Sequence, residues 1–251
     1  MSDLMNYTLI TGASSGIGYQ LAHKYAKEGH HLILLARRLD VLKELKTTLN
    51  KLYSVEVQVF SIDLSDLNQI KGLMDELIGN YKIKHVLLNA GVGVFNLVNN
   101  ISEEELLHQF NLNVHSPILM TKALLNEVKN NQGSIIYIAS ILSYFGNYKA
   151  SIYTSTKHAL LGFVNSLRLE EPEIHLLTVH PATVKTNFFG ESNEFQKKVL
   201  TPERVAENIY KAHIKKKNRL NIPHSIGLLR LLYLFFPSLM DRMNRKYFTN
   251  K

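Results

Sequence analysis

Thr11-Gly12-Ala13-Ser14-Ser15-Gly16-Ile17-Gly18 decides the fold. The apolar run Tyr7–Thr11 leads into it, and Gly16–Lys27 leaves it with helical spacing that ends at Gly29. A strand that passes through glycines into a helix opens a doubly wound sheet, and that first turn is where such a sheet receives a dinucleotide. Glycine lets the backbone approach a pyrophosphate, and the helix N-terminus presents unpaired N–H groups at the positive end of its dipole. A merely tight turn would also use glycines, and the spacing is Gly-x-x-x-Gly-x-Gly rather than Gly-x-Gly-x-x-Gly. Position after the first strand of an alternating chain favours the phosphate reading. Gly12, Ser14, Ser15, Gly16, Ile17 and Gly18 are therefore candidate cofactor contacts.

The alternation continues downstream. Strand-like runs are expected at His31–Ala36, Val55–Ser61, His85–Asn89, Gly133–Ala139, Ile174–His180 and Arg219–Ile222. Helical patterns fall between them at Leu39–Leu52, Leu64–Ile78, Ser102–Asn130, Ser151–Glu170 and residues 203–214. Ser65 is a plausible N-cap, Ser102 with Glu105 forms a capping box, and Pro172 and Pro181 act as stops. Strands alternating with helices imply a parallel sheet covered on both faces, and near-continuous apolar strands such as Leu32–Ala36 agree. The expectation is an α/β, Rossmann-type doubly wound parallel sheet of about seven strands. Without repeats or linkers, residues 1–251 read as one dinucleotide-binding catalytic domain, with 187–251 forming a substrate loop and a basic, apolar C-terminal extension.

Composition narrows the class. A chain of 251 residues that is 45% hydrophobic suits one large domain with an ample core. No cysteine is present, which removes disulfides and thiolate metal sites and fits a reducing cytoplasm. No basic and apolar leader precedes the first strand, so a secretory signal is not expected. The net charge of +8 is uneven: residues 211–251 hold ten Lys and Arg against the single acid Asp241, a net of +9, which leaves −1 for the rest. No recognition motif accompanies that charge, so nucleic acid is not expected as a partner. The 11 histidines show no metal spacing beyond the adjacent His30-His31, and no metal is expected.

The second strand points to the cofactor. NAD enzymes place an acid at its end for the ribose hydroxyls, but here Ala36 is followed by Arg37-Arg38. Arg37 is suited to pair a 2′-phosphate in bidentate fashion, with Ser14 adding a hydroxyl. A solvated basic loop would look alike; the preferred reading is NADP(H) over NAD(H).

Tyr153 and Lys157 are four residues apart, about one helical turn, so phenol and ammonium project from one face. A phenol titrates near pH 10, too high for a base at neutral pH. A cation about 5 Å away at an effective dielectric of about 20 favours the phenolate by roughly 3 kcal/mol, about two pH units. Ser140, upstream, supplies a neutral hydroxyl to hold a carbonyl oxygen beside the phenol. The spacing alone is weak; a helix face with a solvated lysine would show it too.

Taken together, the chain resembles the short-chain dehydrogenase/reductase family over about residues 5–190. The glycine turn at 11–18 is similar to the family's, and Asp63-Leu64 looks like its adenine-contacting pair. Leu88-Asn89-Ala90-Gly91 is similar to an Asn-Asn-Ala-Gly motif beside the cofactor. Asn113 falls where the family keeps a helix asparagine. Ser140, Tyr153 and Lys157 match the catalytic set, and Pro181-Ala-Thr-Val184-Lys-Thr186 matches a segment that touches the nicotinamide. Leu88 and Ala182 depart from the pattern; if position 182 needs φ > 0, Ala there costs roughly 1 kcal/mol.

The resemblance implies hydride transfer between the nicotinamide and a carbonyl carbon. Tyr153 would act as acid/base, Lys157 would hold its pKa down and reach the nicotinamide ribose, and Ser140 would polarise the carbonyl. Asn113 would hold a water that relays protons to Lys157. Reduction is the preferred direction. A cofactor-binding regulator without turnover and a sugar epimerase are the other classes.

Substrate contacts are expected from Val92–Asn100, Ile141–Lys149 and Thr186–Leu200. They carry Phe95, Leu142, Tyr144, Phe145, Phe188 and Phe189, which suits an apolar small-molecule carbonyl or alcohol; Lys149 and Lys185 would meet an anionic group or water. The run Ile226–Phe236 is too short to span a bilayer. It reads either as a subunit interface or pocket cap, or, beside Lys215-Lys-Lys217, Arg242, Arg245 and Lys246, as an anchor on an anionic membrane. The long helices suit subunit packing, so a homodimer or homotetramer is expected, cytoplasmic or membrane-peripheral.

Overall fold

A computed structural model of the protein describes residues 5–186 and 199–249, the last four of these without side chains. Seven strands form one parallel sheet: β1 (Asn6–Thr11), β2 (His31–Ala36), β3 (Val57–Ser61), β4 (Lys82–Leu88), β5 (Ser134–Ile138), β6 (His175–Pro181) and β7 (Arg219–Ile222). Their spatial order is β3-β2-β1-β4-β5-β6-β7. Thr11 sits beside Leu35 on one side, and Ile10 beside Leu87 on the other. The chain changes direction across the sheet between β1 and β4, which opens a crevice beyond their C-terminal ends.

Helices cover both faces because central strands such as β2 and β5 are near-continuous apolar runs. Leu32 and Leu34 point to the face packed by α1 (Gly16–Lys27), α2 (Leu39–Leu52) and α7 (Pro202–Ile214). Ile33 and Leu35 point to the opposite face, which carries α3 (Leu67–Asn80), α5 (Ser116–Asn130) and α6 (Ser151–Glu170). All four side chains are fully buried, each removal from water stabilising by about 2 kcal/mol.

Several elements differ from the sequence reading. α3 begins at Leu67, and its cap is Asp66, whose carboxylate accepts from Asn68 N; Ser65 instead donates to Asp63 from its amide and its hydroxyl. The long helix expected over Ser102–Asn130 is broken into α4 (Glu103–Phe110), a π-turn (Asn111–His115) and α5. The capping box of Ser102 and Glu105 is present at its start. The tail, left without secondary structure by the pattern, forms α8 (Ile226–Phe235) and α9 (Pro237–Thr249). Among the described residues no helix is long and apolar enough to cross a membrane, and no cluster of His, Asp and Glu is arranged to hold a metal.

Candidate active site

The glycine turn sits at the mouth of the crevice. Gly12 has φ 65°, which a side chain disfavours, and a Cβ on Gly18 would overlap the Gly12 carbonyl oxygen. Ser15 caps α1 with its backbone only, and no acid lies in the first turn. The N-terminal N–H groups of α1 therefore keep their positive field unneutralised, as a pyrophosphate requires. Thr11 ties this turn to β4: its hydroxyl accepts from the amides of Asn89 and Ala90, both at 2.9 Å. Asn89 returns a bond from Nδ2 to Thr11 O at 3.0 Å.

A cavity of about 470 Å³ runs along the crevice. Ser14, Ser15, Gly16, Ile17, Arg37 and Arg38 line one end, with Asp63 and Leu64 beside them. Gly12, Asn89, Ala90 and Gly91 form the floor, and Pro181, Val184 and Thr186 the far wall. Gly18 is buried behind the turn, where it allows α1 to pack closely.

The two arginines divide their roles. Arg38 donates from Nη2 to Ser14 O at 2.9 Å and to Ser14 Oγ at 3.2 Å, so it is the guanidinium held over the glycine turn. Arg37 is exposed and lies 4.0 Å from Asp63 Oδ2. Burial alone would raise the Asp63 pKa, but hydrogen bonds from Ser65 and the Arg37 charge hold it below the ordinary carboxylate value. Sequence reasoning chose Arg37; the geometry makes Arg38 the better-placed partner of Ser14.

At the other end, Ser140 follows β5 and caps the single turn Ile141–Ser143, accepting from Leu142 N at 3.1 Å. Tyr153 and Lys157 project from one face of α6, both buried. Ser140 hydrogen-bonds the Tyr153 phenol. Lys157 Nζ lies 5.6 Å from the Tyr153 ring centroid and donates to Ile138 O at 3.2 Å.

The electrostatic expectation for this pair is corrected. Burial pushes the Tyr153 phenol well above its usual pKa, with the Ser140 bond working against it, so the side chain is a neutral phenol at pH 7. Burial also lowers the Lys157 ammonium, from 10.5 to about 8. For both groups desolvation is the largest cause. An ammonium has three N–H donors, and Ile138 takes one. Lys157 also lines the cavity, where ribose hydroxyls would need a donor.

Asn113 stands in the π-turn. Its Oδ1 accepts from Val92 N at 2.9 Å, and its Nδ2 donates to Val92 O at 2.7 Å and to Thr156 Oγ1 at 3.1 Å. The side chain thus pins the Val92 loop to α6. A separate cavity of about 10 Å³, room for one water, lies between Asn113, Ser116 and Lys157.

Three residues of the site were missed by sequence reasoning. Thr11 and Thr156 are described above. The third is His180, whose Nδ1–H donates to Ser140 O at 3.1 Å and whose ring stacks on Tyr144 at 4.3 Å. Burial lowers its pKa to about 3, so it is neutral. Its place directly before the Pro181 segment was the available signal. Ala182 has no positive φ, and its amide donates to Ile222 O at 2.8 Å, so alanine is unstrained there.

The substrate end is apolar. Phe95 and Leu142 line the cavity, with Phe95 5.3 Å from the Tyr153 ring. Tyr144 and Phe145 pack behind them, and Leu229 and Tyr233 of α8 close over this cluster. Lys149 lies over Tyr148 rather than on the cavity wall, and Lys185 is exposed. Phe188 and Phe189 fall outside the described residues.

The family model for the short chain dehydrogenases matches residues 6–197. The chain belongs to that family. A dehydrogenase/reductase family protein 7-like from Dictyostelium discoideum is 35% identical over 187 residues, 72% of this chain and 59% of its own length. An NADP-dependent 3-hydroxy acid dehydrogenase from Schizosaccharomyces pombe is 33% identical, covering 84% of this chain and 87% of its own. An alcohol dehydrogenase from Thermococcus sibiricus, solved with 5-hydroxy-NADP, superposes with a TM-score of 0.80 at 28% identity, over 86% of this chain and 95% of its own. This short-chain dehydrogenase is thus an oxidoreductase of a group that acts on hydroxyl and carbonyl carbons with a nicotinamide cofactor.

Proposed function

We propose that the protein is an NADP(H)-linked carbonyl reductase for apolar ketones or aldehydes, acting through Tyr153, Lys157, Ser140 and Asn113. The observation that carries this reading is the buried, hydrogen-bonded Ser140–Tyr153 pair, set between a phosphate-binding turn and an apolar wall. Bound in the cavity, the nicotinamide supplies the hydride. Ser140 and Tyr153 hold the carbonyl oxygen, and Tyr153, a neutral phenol, gives it the proton as the carbon is reduced. Lys157 anchors the nicotinamide ribose, and the water-sized cavity beside Asn113 gives Lys157 a route for proton resupply. Arg38, with Ser14 and Arg37, takes the 2′-phosphate; Asp63 and Leu64 contact the adenine; Asn89, Ala90, Gly91, Pro181, Val184 and Thr186 bed the nicotinamide half.

Residues 1–251 then act as one catalytic unit. It assembles as a homodimer or homotetramer through the outer faces of α4, α5 and α6, in the cytoplasm or at a membrane surface. The test is a panel of ketones and aldehydes followed by NADPH absorbance, with Tyr153→Phe as control. Removing the proton donor lowers kcat by about 100-fold or more while NADPH still binds. Undiminished turnover in that variant sinks the assignment.

A further inference from the structure

α8 is apolar except at Arg230, whose guanidinium lies 4.7 Å over the Tyr144 ring, and among the described residues only the side facing the body has a partner. Ile226, Leu229 and Tyr233, at helical spacing, face the body; Leu229 and Tyr233 pack on the cluster that holds Tyr153. Asn244 of α9 ties the next helix down through Gly146 O at 3.1 Å. The opposite side carries Leu228, Leu231, Leu232 and Phe235, and the apolar surface continues through Phe236, Leu239 and Met243. These side chains are 40–70% exposed, where a helix apolar on nearly every side is normally enclosed. Such a contiguous patch marks an interaction site.

Its charge selects the occupant. α8 and α9 hold Arg230, Arg242, Arg245 and Lys246 against the single acid Asp241, a net of +3. Arg242 stands exposed beside Leu239 and Met243, while Arg230, exposed in part, lies over the Tyr144 ring at the edge of the patch. A second copy joined face to face would set two such cationic surfaces against each other. An anionic lipid surface instead takes both the apolar side chains and the arginines, which is the usual logic of an interfacial helix.

We infer that α8 and α9 dock the protein on an anionic bilayer, with Leu228, Leu231, Leu232 and Phe235 entering the acyl boundary. The inner side of the same helix packs on the cluster that holds Tyr153, so docking brings that end of the molecule to the lipid. The inference does not rest on the reductase reading, because its test reads binding and not turnover.

The full chain is sedimented with phosphatidylcholine vesicles, with and without phosphatidylserine, at low and high salt. Association state is followed by analytical ultracentrifugation without lipid. The expected result is pelleting with the phosphatidylserine vesicles at low salt, and at least about tenfold weaker binding at high salt or on neutral vesicles. Arg242→Gln weakens it about fivefold. Leu231→Glu and Phe235→Glu, each at an exposed position, abolish pelleting while far-UV circular dichroism and NADPH binding stay unchanged. Three results overturn the inference: no pelleting on anionic vesicles, equal binding by the two Glu variants, or a self-associated wild type that Leu231→Glu converts to monomer, which assigns the face to a second copy.

Discussion

Lys157 is the residue at which function and stability pull apart. Its ammonium is buried, and its pKa falls from 10.5 in the unfolded chain to about 8. Between those values the unfolded state binds a proton that the folded state does not, so wild-type stability rises with pH across this window. Below pH 8 the buried charge is a full cost, and Lys157→Met removes it while leaving Ile138 O without its donor. The variant is therefore expected to be more stable than wild type by about 1–2 kcal/mol at pH 7 in urea unfolding, and the gap closes as pH rises above 8. It loses turnover and cofactor affinity together. A variant less stable at pH 7 would show that the ammonium is better solvated than its burial indicates. Arg38 gives the parallel test for the cofactor. Arg38→Ala weakens NADPH binding by about 10–100-fold and leaves NADH binding within about threefold, measured by fluorescence titration. The identities of these site residues were legible because each lies in a short ordered motif. Their electrostatics were not: the spacing of Tyr153 and Lys157 sets a distance along the helix, but what the cation meets depends on β5, which supplies Ile138 O. His180 escaped notice for a related reason, since its partner Ser140 is brought near only by strand pairing.

At the scale of elements, the site is made by strand ends. β1 and β4 are neighbours in space though far apart in sequence, and Thr11 locks their tips through the amides of Asn89 and Ala90. Thr11→Val keeps the shape and removes the acceptor, leaving the part-buried Ala90 amide without it and Asn89 N with only its bond to Leu87 O. It should destabilise the protein by about 2 kcal/mol and weaken cofactor binding about tenfold, by thermal unfolding and titration. An unchanged melting temperature would mean that water replaces the hydroxyl. All seven strands and most helices could be read from apolar runs and period, because the central strands are buried on both faces and most helices on one. The π-turn could not: an unbroken helical pattern from Ser102 to Asn130 conceals one extra residue per turn at Asn111–His115. Its effect is local, aiming Asn113 at Val92 and Thr156. The tail helices were hidden because α8 is apolar on nearly every side, which erases the period that betrays a helix. Ser65 was mistaken for a cap because Asp63 recruits it first.

For the whole molecule, the N-terminal end of the sheet behaves as an acid-sensitive plug. His30, His85, His175 and His213 gather there with Tyr25; His85 and His213 have ring centroids 4.5 Å apart, and Tyr25 bonds His213 at 2.8 Å. Burial lowers His85 to about 2 and His213 to about 3. Both stay neutral in the folded state while the unfolded chain takes up protons below about pH 6.5, so stability falls as pH drops. For these two rings the loss is about 2 kcal/mol per unit between about pH 6 and pH 5. His85→Phe, which gives up no hydrogen bond at the unpaired Nδ1, should lower the slope measured in urea unfolding by about 1 kcal/mol per pH unit. A slope equal to wild type would assign the effect to the carboxylates. The opposite end of the sheet has its own consequence. The long cavity is walled by residues from Gly12 to Thr186, drawn from both sides of the β1–β4 junction. A dinucleotide bound there acts as a clasp across the two halves, and occupancy at a hundredfold excess over Kd adds about 2.7 kcal/mol against unfolding. The lifetime of the protein in a cell is thereby coupled to the supply of its own coenzyme, and a starved pool leaves the enzyme exposed to proteolysis before any substrate is missed.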